Sequence, residues 1–431
     1  MKDDVIQARG ARGTAIQGRA AKAPFQLRVG IAGLGVAATQ VLPAFRRADS
    51  PYVLAGGADV RADVRDAFAR GYGCPTFDSV AAMCKSDAIN TVWISTPNTL
   101  HAEHVVTAAR HGKHVICEKP MAVTLAECDR MLRAAEDNGV KFLQGHSKIY
   151  GAPIRAMEEI VRSGRLGRVV QIQALNFNDW LQRPRLAPEL DTKQGGGLVY
   201  RQGPHLVDIV RFLGGGLVKN VRAVTGRADR NFDTDGHFSA LLEFENGAAA
   251  TMTMSGYGYF DVTELTWGIG ESGYPQTGKR AFPRKPRLTG AADPHKKSAV
   301  ASERQEFAGE RKQPFFGLTI VACEHGVIRQ SPDGVYVYTE DGREEIPSRG
   351  GRGREAELDE LSSAIAEKRE CFPDGRWGKA TLEVCLAMMA SSKDGRLRVL
   401  HHQVASPGAA RIRSKPTKKH STSSKAGRGR R

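Results

Sequence analysis

Residues Gly195–Val210 read GGGLVYRQGPHLVDIV and hold three groups that could do chemistry together. His205 and Asp208 stand three residues apart, so on a helix the imidazole and the carboxylate share one face. A histidine takes and gives protons near neutral pH, and Asp208 is placed to orient that ring or the helix itself. Arg201, four residues before His205, carries a permanent cation whose fork binds carboxylates bidentately. Gly195 to Gly197 let the backbone come close to a ligand. Plainer explanations stand beside these: a satisfied core histidine, a helix-face acid and a flexible glycine connector.

Nearer the N-terminus, GLGVAA (Gly33 to Ala38) matches G-x-G-x-x-A directly after a β-rich run and at the start of a helix. Gly33 permits the tight turn, Gly35 lets backbone approach a pyrophosphate, and Ala38 keeps helix and sheet close. Asp59 ends the next β-rich run, where a carboxylate accepts hydrogen bonds from a ribose 2′-hydroxyl and repels a 2′-phosphate. The pattern predicts NAD in preference to NADP, with nearby Arg61 weakening the preference. STPNTLH places Pro97, Asn98 and His101 after a further strand, and CEKPM places Glu118, Lys119 and Pro120 after the one following. Ligands of a doubly wound sheet bind outside the carboxyl ends of its strands, so these loops should converge on the cofactor. HAEH (His101–His104) has no partner ligands in view and reads as a helix start, not a metal pair.

The elements that must position these residues alternate. LRVGIAG, YVLAGGAD, NTVWIST, KHVICEKP and VKFLQGH read as strands, with amphipathic helical stretches between them. Pro43 falls inside the first helix and should kink it. Strands and helices of these lengths build a parallel sheet. After Ala152 the texture changes: PIRAMEEIVRSG is helical, and RVVQIQALNFND, HFSALLEFENG and AAATMTMSGYG are longer alternating strands that suit an antiparallel sheet. TLEVCLAMMASSKDG reads as the final helix. The expected class is α/β: a Rossmann domain over 27–150, then an α+β domain over 151–404. Residues 1–26 and 405–431 read as disordered extensions, and 272–312, rich in Pro, Gly, Lys and Arg, as a mobile loop.

A net charge of +16 suggests nucleic acid until it is located. Residues 405–431 hold nine Lys/Arg and no acid, and 279–312 hold ten basic and four acidic residues. The remaining body is close to neutral, so no specific nucleic-acid surface is expected. No apolar run is long enough to span a bilayer, and the N-terminus has no secretory h-region. Seven scattered cysteines without a C-x-x-C pair fit reduced thiols in a cytoplasm.

G-x-G-x-x-A, P-N-x-x-H, E-K-P and G-G-G…G-x-H-x-x-D, in this order, resemble the Gfo/Idh/MocA oxidoreductases over roughly residues 27–404. The resemblance implies a Rossmann domain followed by a domain with a large open sheet that often mediates oligomers, here a homodimer or homotetramer. It also implies that Lys119 lies at the nicotinamide and acts with His205, with Glu118 and Pro120 positioning the lysine. NFNDWLQRPR, QGGGLVYRQGPHLVDIVRFLGGG, SPDGVYVYTEDG and DGRWGKATLEVCLAMM resemble a narrower branch, the phthalate 4,5-cis-dihydrodiol dehydrogenases. Most of the wider family carries Asp where this chain has Arg201. That departure points to a substrate carboxylate as the partner of Arg201, with Arg183 and Arg185 as second candidates and Trp180 as an apolar wall. Sugar or cyclitol oxidation, and NAD binding without turnover, are the alternatives.

Overall fold

The computed structural model describes residues 25–46, 50–275, 310–348 and 353–408. The expected terminal extensions up to 24 and from 409, and most of the expected loop, lie outside the described residues. β1 (Arg28–Ala32), β2 (Val53–Ala58), β3 (Thr76–Phe77), β4 (Thr91–Ile94), β5 (His114–Glu118) and β6 (Phe142–Gly145) form a parallel sheet in the order β3-β2-β1-β4-β5-β6. All four residues of β4 are buried. A strand covered on both faces needs apolar residues throughout, which is why NTVWIST shows no alternation. Strand order reverses between β1 and β4, and the loops leaving their carboxyl ends diverge there to open a crevice.

Pro43 does more than kink the first helix. Val36–Thr39 and Pro43–Arg46 are separate short helices, because Pro43 has no N–H to give the preceding turn. β3 and the helix Val80–Cys84 escaped the sequence reading. Neither is long enough to complete a period.

The second sheet contains β7 (Val169–Phe177), β8 (Val218–Gly226), β9 (His237–Phe244), β10 (Ala249–Ser255), β11 (Leu318–Cys323), β12 (Gly326–Gln330), β13 (Gly334–Thr339), β14 (Gly342–Pro347) and β15 (Arg398–Val399). Their order is β14-β13-β12-β11-β7-β10-β9-β8-β15. Only β7 and β10 pair in parallel; the other neighbours are antiparallel. β9 alternates buried and exposed residues, as a strand with one covered face must. Helices Ala152–Ser163, Gly203–Gly214 and Gly375–Asp394 pack against this sheet.

Every residue of Gly203–Gly214 is buried. This helix carries His205, so packing fixes where the ring meets the cleft. The final helix begins earlier than TLEVCLAMM suggests. Asp374 caps it by accepting from Trp377 N at 2.8 Å. Gly375–Asp394 touches helix Leu125–Asp137 and β6 on one side, and β8 and Gly203–Gly214 on the other. It therefore ties the two sheets into one frame around the crevice.

Candidate active site

A cleft of about 1610 Å³ runs from the Gly33 turn, past the carboxyl ends of β4 and β5, to the Arg183–Glu189 segment and His205. At its first end Gly33 has φ +85, and a Cβ there would lie 2.9 Å from the Ser95 carbonyl. At Gly35 an added Cβ meets no protein atom within 4 Å. The turn is thus locked by its own neighbours on one side and open to the cleft on the other. Ala38 is buried against the sheet. This is the shape a dinucleotide pyrophosphate requires, and the residues present fit one.

The Asp59 side chain accepts hydrogen bonds from Leu34 N at 3.1 Å, and from Arg61 Nε at 3.0 Å and Nη2 at 3.1 Å. Burial works to raise its pKa, but the hydrogen bonds and charge of Arg61 carry it below the usual value. The Arg61 fork is engaged by Asp59 and is not turned outward for a 2′-phosphate. Asp59→Ala is expected to weaken NADH binding by roughly tenfold or more, the worth of a charge-assisted hydrogen bond. It should also free Arg61 and narrow the margin over NADPH. Energy transfer from tryptophan to each bound nucleotide measures both effects.

The next two loops are braced as well as apposed. Pro97 is exposed at the cleft, while the Asn98 side chain is committed to protein. Asn98 Nδ2 donates to Gly195 O at 2.9 Å, and its Oδ1 accepts from Arg201 Nη1 at 2.8 Å. The His101 nitrogens face Pro120 O and Thr96 O, both at 2.9 Å. His101 therefore holds the β4 and β5 loops against each other, and burial keeps its pKa below the ordinary value. Among the described residues no group of His, Cys, Asp or Glu could hold a metal, HAEH included.

Lys119 follows β5 at the floor of the cleft. Its Nζ donates to the Arg201 carbonyl at 2.8 Å. Burial, with the Arg201 cation second, pulls its pKa from 10.5 down to about 7. His205 faces the same floor, edge-on to Phe316 with ring centroids 5.0 Å apart. Its Nδ1 is buried without a hydrogen-bond partner among the described residues. The expectation that His205 titrates near neutrality does not hold. Burial, reinforced by Lys119 and Lys148, drives its pKa far down, so the ring stays neutral.

The arginines stand where the motif placed them but are already engaged. Arg201 Nη2 lies 2.9 Å from Glu189 Oε1, so its fork bridges Glu189 and Asn98. Arg183 Nε donates to Asp179 Oδ1 at 2.8 Å. Arg185 donates to the Trp180 carbonyl at 2.8 and 3.0 Å and covers the Trp180 ring at 4.2 Å. Trp180 is 1 % exposed, so it supports Arg185 instead of offering a bare wall. The three glycines likewise serve the chain itself. A Cβ on Gly196 would lie 2.6 Å from Pro188 O and Asp191 N, so the close approach is between protein segments.

Four contributors were not foreseen. Lys148 Nζ pairs with Glu271 Oε2 at 2.9 Å across the cleft. Arg354, at the start of helix Glu355–Glu367, pairs with Glu118 Oε1 at 2.9 Å. Behind His205, His146 is 1 % exposed and its Nδ1 lies 4.0 Å from Asp208 Oδ2. Asp208 accepts from Trp377 Nε1 at 2.5 Å, so it anchors the helix from behind. Lys148 and His146 sit in GHSKIY right after β6, a strand exit like the others, and that position was a usable signal. Arg354 lies in an Arg/Gly-rich run with no pattern to single it out.

Comparison with known proteins agrees with this geometry. Residues 27–146 match the oxidoreductase family with an NAD-binding Rossmann fold, and 154–269 match the GFO/IDH/MocA C-terminal domain. The chain is 33% identical over 377 residues to a 1-carboxy-3-chloro-3,4-dihydroxycyclohexa-1,5-diene dehydrogenase of Comamonas testosteroni, covering 85% of this chain and 95% of the relative. A solved putative dehydrogenase from Bordetella bronchiseptica RB50 superposes with TM-score 0.78 at 36% identity, covering 87% of this chain and 100% of that one. The WlbA dehydrogenase from Bordetella pertussis, solved with NADH and UDP-GlcNAcA, shares the fold with TM-score 0.65 at 19% identity, over 88% of this chain and 98% of that one. This chain belongs to the GFO/IDH/MocA oxidoreductases, as an NAD-dependent dehydrogenase with a Rossmann domain and the family's C-terminal domain.

Proposed function

We propose that the enzyme oxidises a small anionic cis-dihydrodiol, most directly 4,5-dihydro-4,5-dihydroxyphthalate to 4,5-dihydroxyphthalate. The observation that carries the reading is the Lys119 amine, held near neutral pKa at the cleft floor beside a ledge of three guanidiniums. Arg183, Arg185 and Arg201 share that ledge with the carboxylates of Asp179 and Glu189. The Comamonas testosteroni relative supports it, since its name describes a ring diol bearing a carboxylate.

Bound NAD supplies the acceptor for the hydride leaving the carbinol carbon. The Lys119 amine takes the hydroxyl proton, and neutral His205 hydrogen-bonds the same oxygen. Loss of hydride and proton leaves an enone that tautomerises to a catechol, and aromaticity drives the reaction forward. Arg201 and the ledge hold the ring carboxylates.

NADH formation with the phthalate dihydrodiol tests the reading. Turnover of a sugar or cyclitol with none of any carboxylated diol would sink it. Asp261 and Glu271 at the cleft wall favour that second reading, because carboxylates accept hydrogen bonds from polyol hydroxyls. Arg201→Ala separates the two. We expect KM for a carboxylated diol to rise about 10- to 100-fold, the worth of a charged hydrogen bond. KM for a neutral diol should be nearly unaffected, while kcat near pH 7 should fall with either substrate because a cation that favours the neutral Lys119 amine is lost.

Among the described residues no helix is long and apolar enough to cross a membrane. We place the enzyme in the cytoplasm as a homodimer or homotetramer. Val170, Val224 and Leu241 stand exposed on the second sheet and suit burial against another copy. Light scattering should give two or four chains per particle.

A further inference from the structure

Glu118 and Lys119 are neighbours in sequence, yet they do not form an ion pair. The Glu118 side chain is buried and lies 2.9 Å from Arg354 Nη2. The other arm of the same fork, Nη1, lies 3.1 Å from Glu357 Oε2. Arg354 Nη2 also donates to Gln40 Oε1 at 3.2 Å, and the guanidinium sits 5.8 Å from the Trp93 ring centroid. One cation thus joins the β5 exit, the segment after the cofactor turn, and the helix Glu355–Glu367. Lys119 Nζ meets a neutral acceptor, the Arg201 carbonyl.

We propose that Arg354 is a positioning residue of the reaction: it claims the Glu118 carboxylate and so leaves Lys119 a proton acceptor instead of one half of an ion pair. This rests on the reading that Lys119 takes the substrate proton. An ion-paired ammonium would have no lone pair to offer.

The charges around Lys119 come from several elements. Arg201, Lys148 and Arg354 are cations that favour its neutral form, and Glu118 opposes them. Glu271 faces it from beyond Lys148, and His146 and His205 lie within its field. Removing Arg354 acts twice in one direction. It deletes a cation that disfavours the ammonium, and it releases a buried carboxylate one residue away. Both changes stabilise the protonated lysine.

The experiment follows the proton on Lys119 in two ways. In the protein without cofactor, the pH dependence of acylation of Lys119 by a small activated ester is read by peptide mass. In the complete enzyme, the pH profile of NADH formation is measured. In Arg354→Met both midpoints should move up by about one pH unit or more, so activity near pH 7 falls roughly fivefold or more and recovers toward about pH 9. Arg354→Lys keeps the charge without the fork and should show a smaller alkaline shift. Glu118→Gln should move the acylation midpoint down. Adding it to Arg354→Met should bring that variant's midpoint back toward wild type.

Unmoved midpoints in Arg354→Lys and Glu118→Gln would overturn the proposal, whether or not Arg354→Met folds. So would a folded Arg354→Met with wild-type midpoints. The underlying reading fails separately, if Lys119→Met keeps wild-type turnover.

Discussion

Lys119→Met is expected to fold, to bind NADH as the wild type does, and to lose roughly a thousandfold in kcat, within the range general base catalysis supplies. Methionine preserves the length of the side chain and removes the amine. The Arg201 carbonyl loses one donor, a local change at the cleft floor. The wild-type enzyme should show the complementary pH signature. Only the neutral amine can accept a proton, and its pKa is about 7, so oxidation should rise with pH through that value and then level off. His205 should add no second limb near neutrality, because its pKa lies far below the usual range. Lys119→Arg should be as inactive as Lys119→Met, since a guanidinium stays protonated. A Lys119→Met enzyme with the wild-type pH rise would place the base elsewhere. An effect confined to KM would make Lys119 a binding residue only.

Much of this site was legible because strand exits are legible. Gly33, Asp59, Asn98 and Lys119 each follow a β-rich run, and a parallel sheet delivers all such positions to one edge. His205 and Arg201 were legible as chemistry-bearing residues, but their surroundings were not. The sequence offers no sign that Glu189 and Asn98 would occupy the Arg201 fork, because that pairing joins three segments far apart in the chain. The neutral state of His205 was hidden for a similar reason. It depends on complete burial of one helix under a sheet assembled from strands both before and after it in the chain. Strands β11 to β14 went unread as strands because each spans only five or six residues between tight turns. Arg354 shows the limit most clearly. Its importance lies wholly in what it touches, and the run GGRGREAE carries no periodicity that would place it beside Glu118.

The second large effect concerns what holds the histidine helix in place. Arg211→Met is expected to destabilise the protein by about 3–5 kcal/mol, the scale for removing a buried cation's several hydrogen bonds and leaving their acceptors unpaired. Arg211 is wholly buried and its fork is fully used. Nε donates to Gln403 Oε1 at 2.9 Å, Nη1 to Thr381 Oγ1 at 2.8 Å and Trp377 O at 3.2 Å, and Nη2 to Val404 O at 3.3 Å. The guanidinium also stacks on the Trp377 ring at 3.8 Å. One side chain thereby fastens the His205 helix to helix Gly375–Asp394 and to the segment 401–408. Burial raises the pKa of the nearby Asp208 far above the usual carboxylate range, against the pull of the Trp377 hydrogen bond and the Arg211 charge. Without Arg211 that carboxyl should hold its proton still more tightly. An acid with a folded pKa above its unfolded value of about 4 stabilises the fold most at low pH and loses that contribution as pH rises through the folded value. The deficit of Arg211→Met should therefore be larger near pH 8 than near about pH 5.5 in thermal unfolding. Adding Asp208→Asn removes the titrating carboxyl and keeps an oxygen for Trp377 Nε1, so the double variant should lose most of that pH dependence. A single variant melting with the wild type at both pH values would show that hydrophobic packing alone secures the helix.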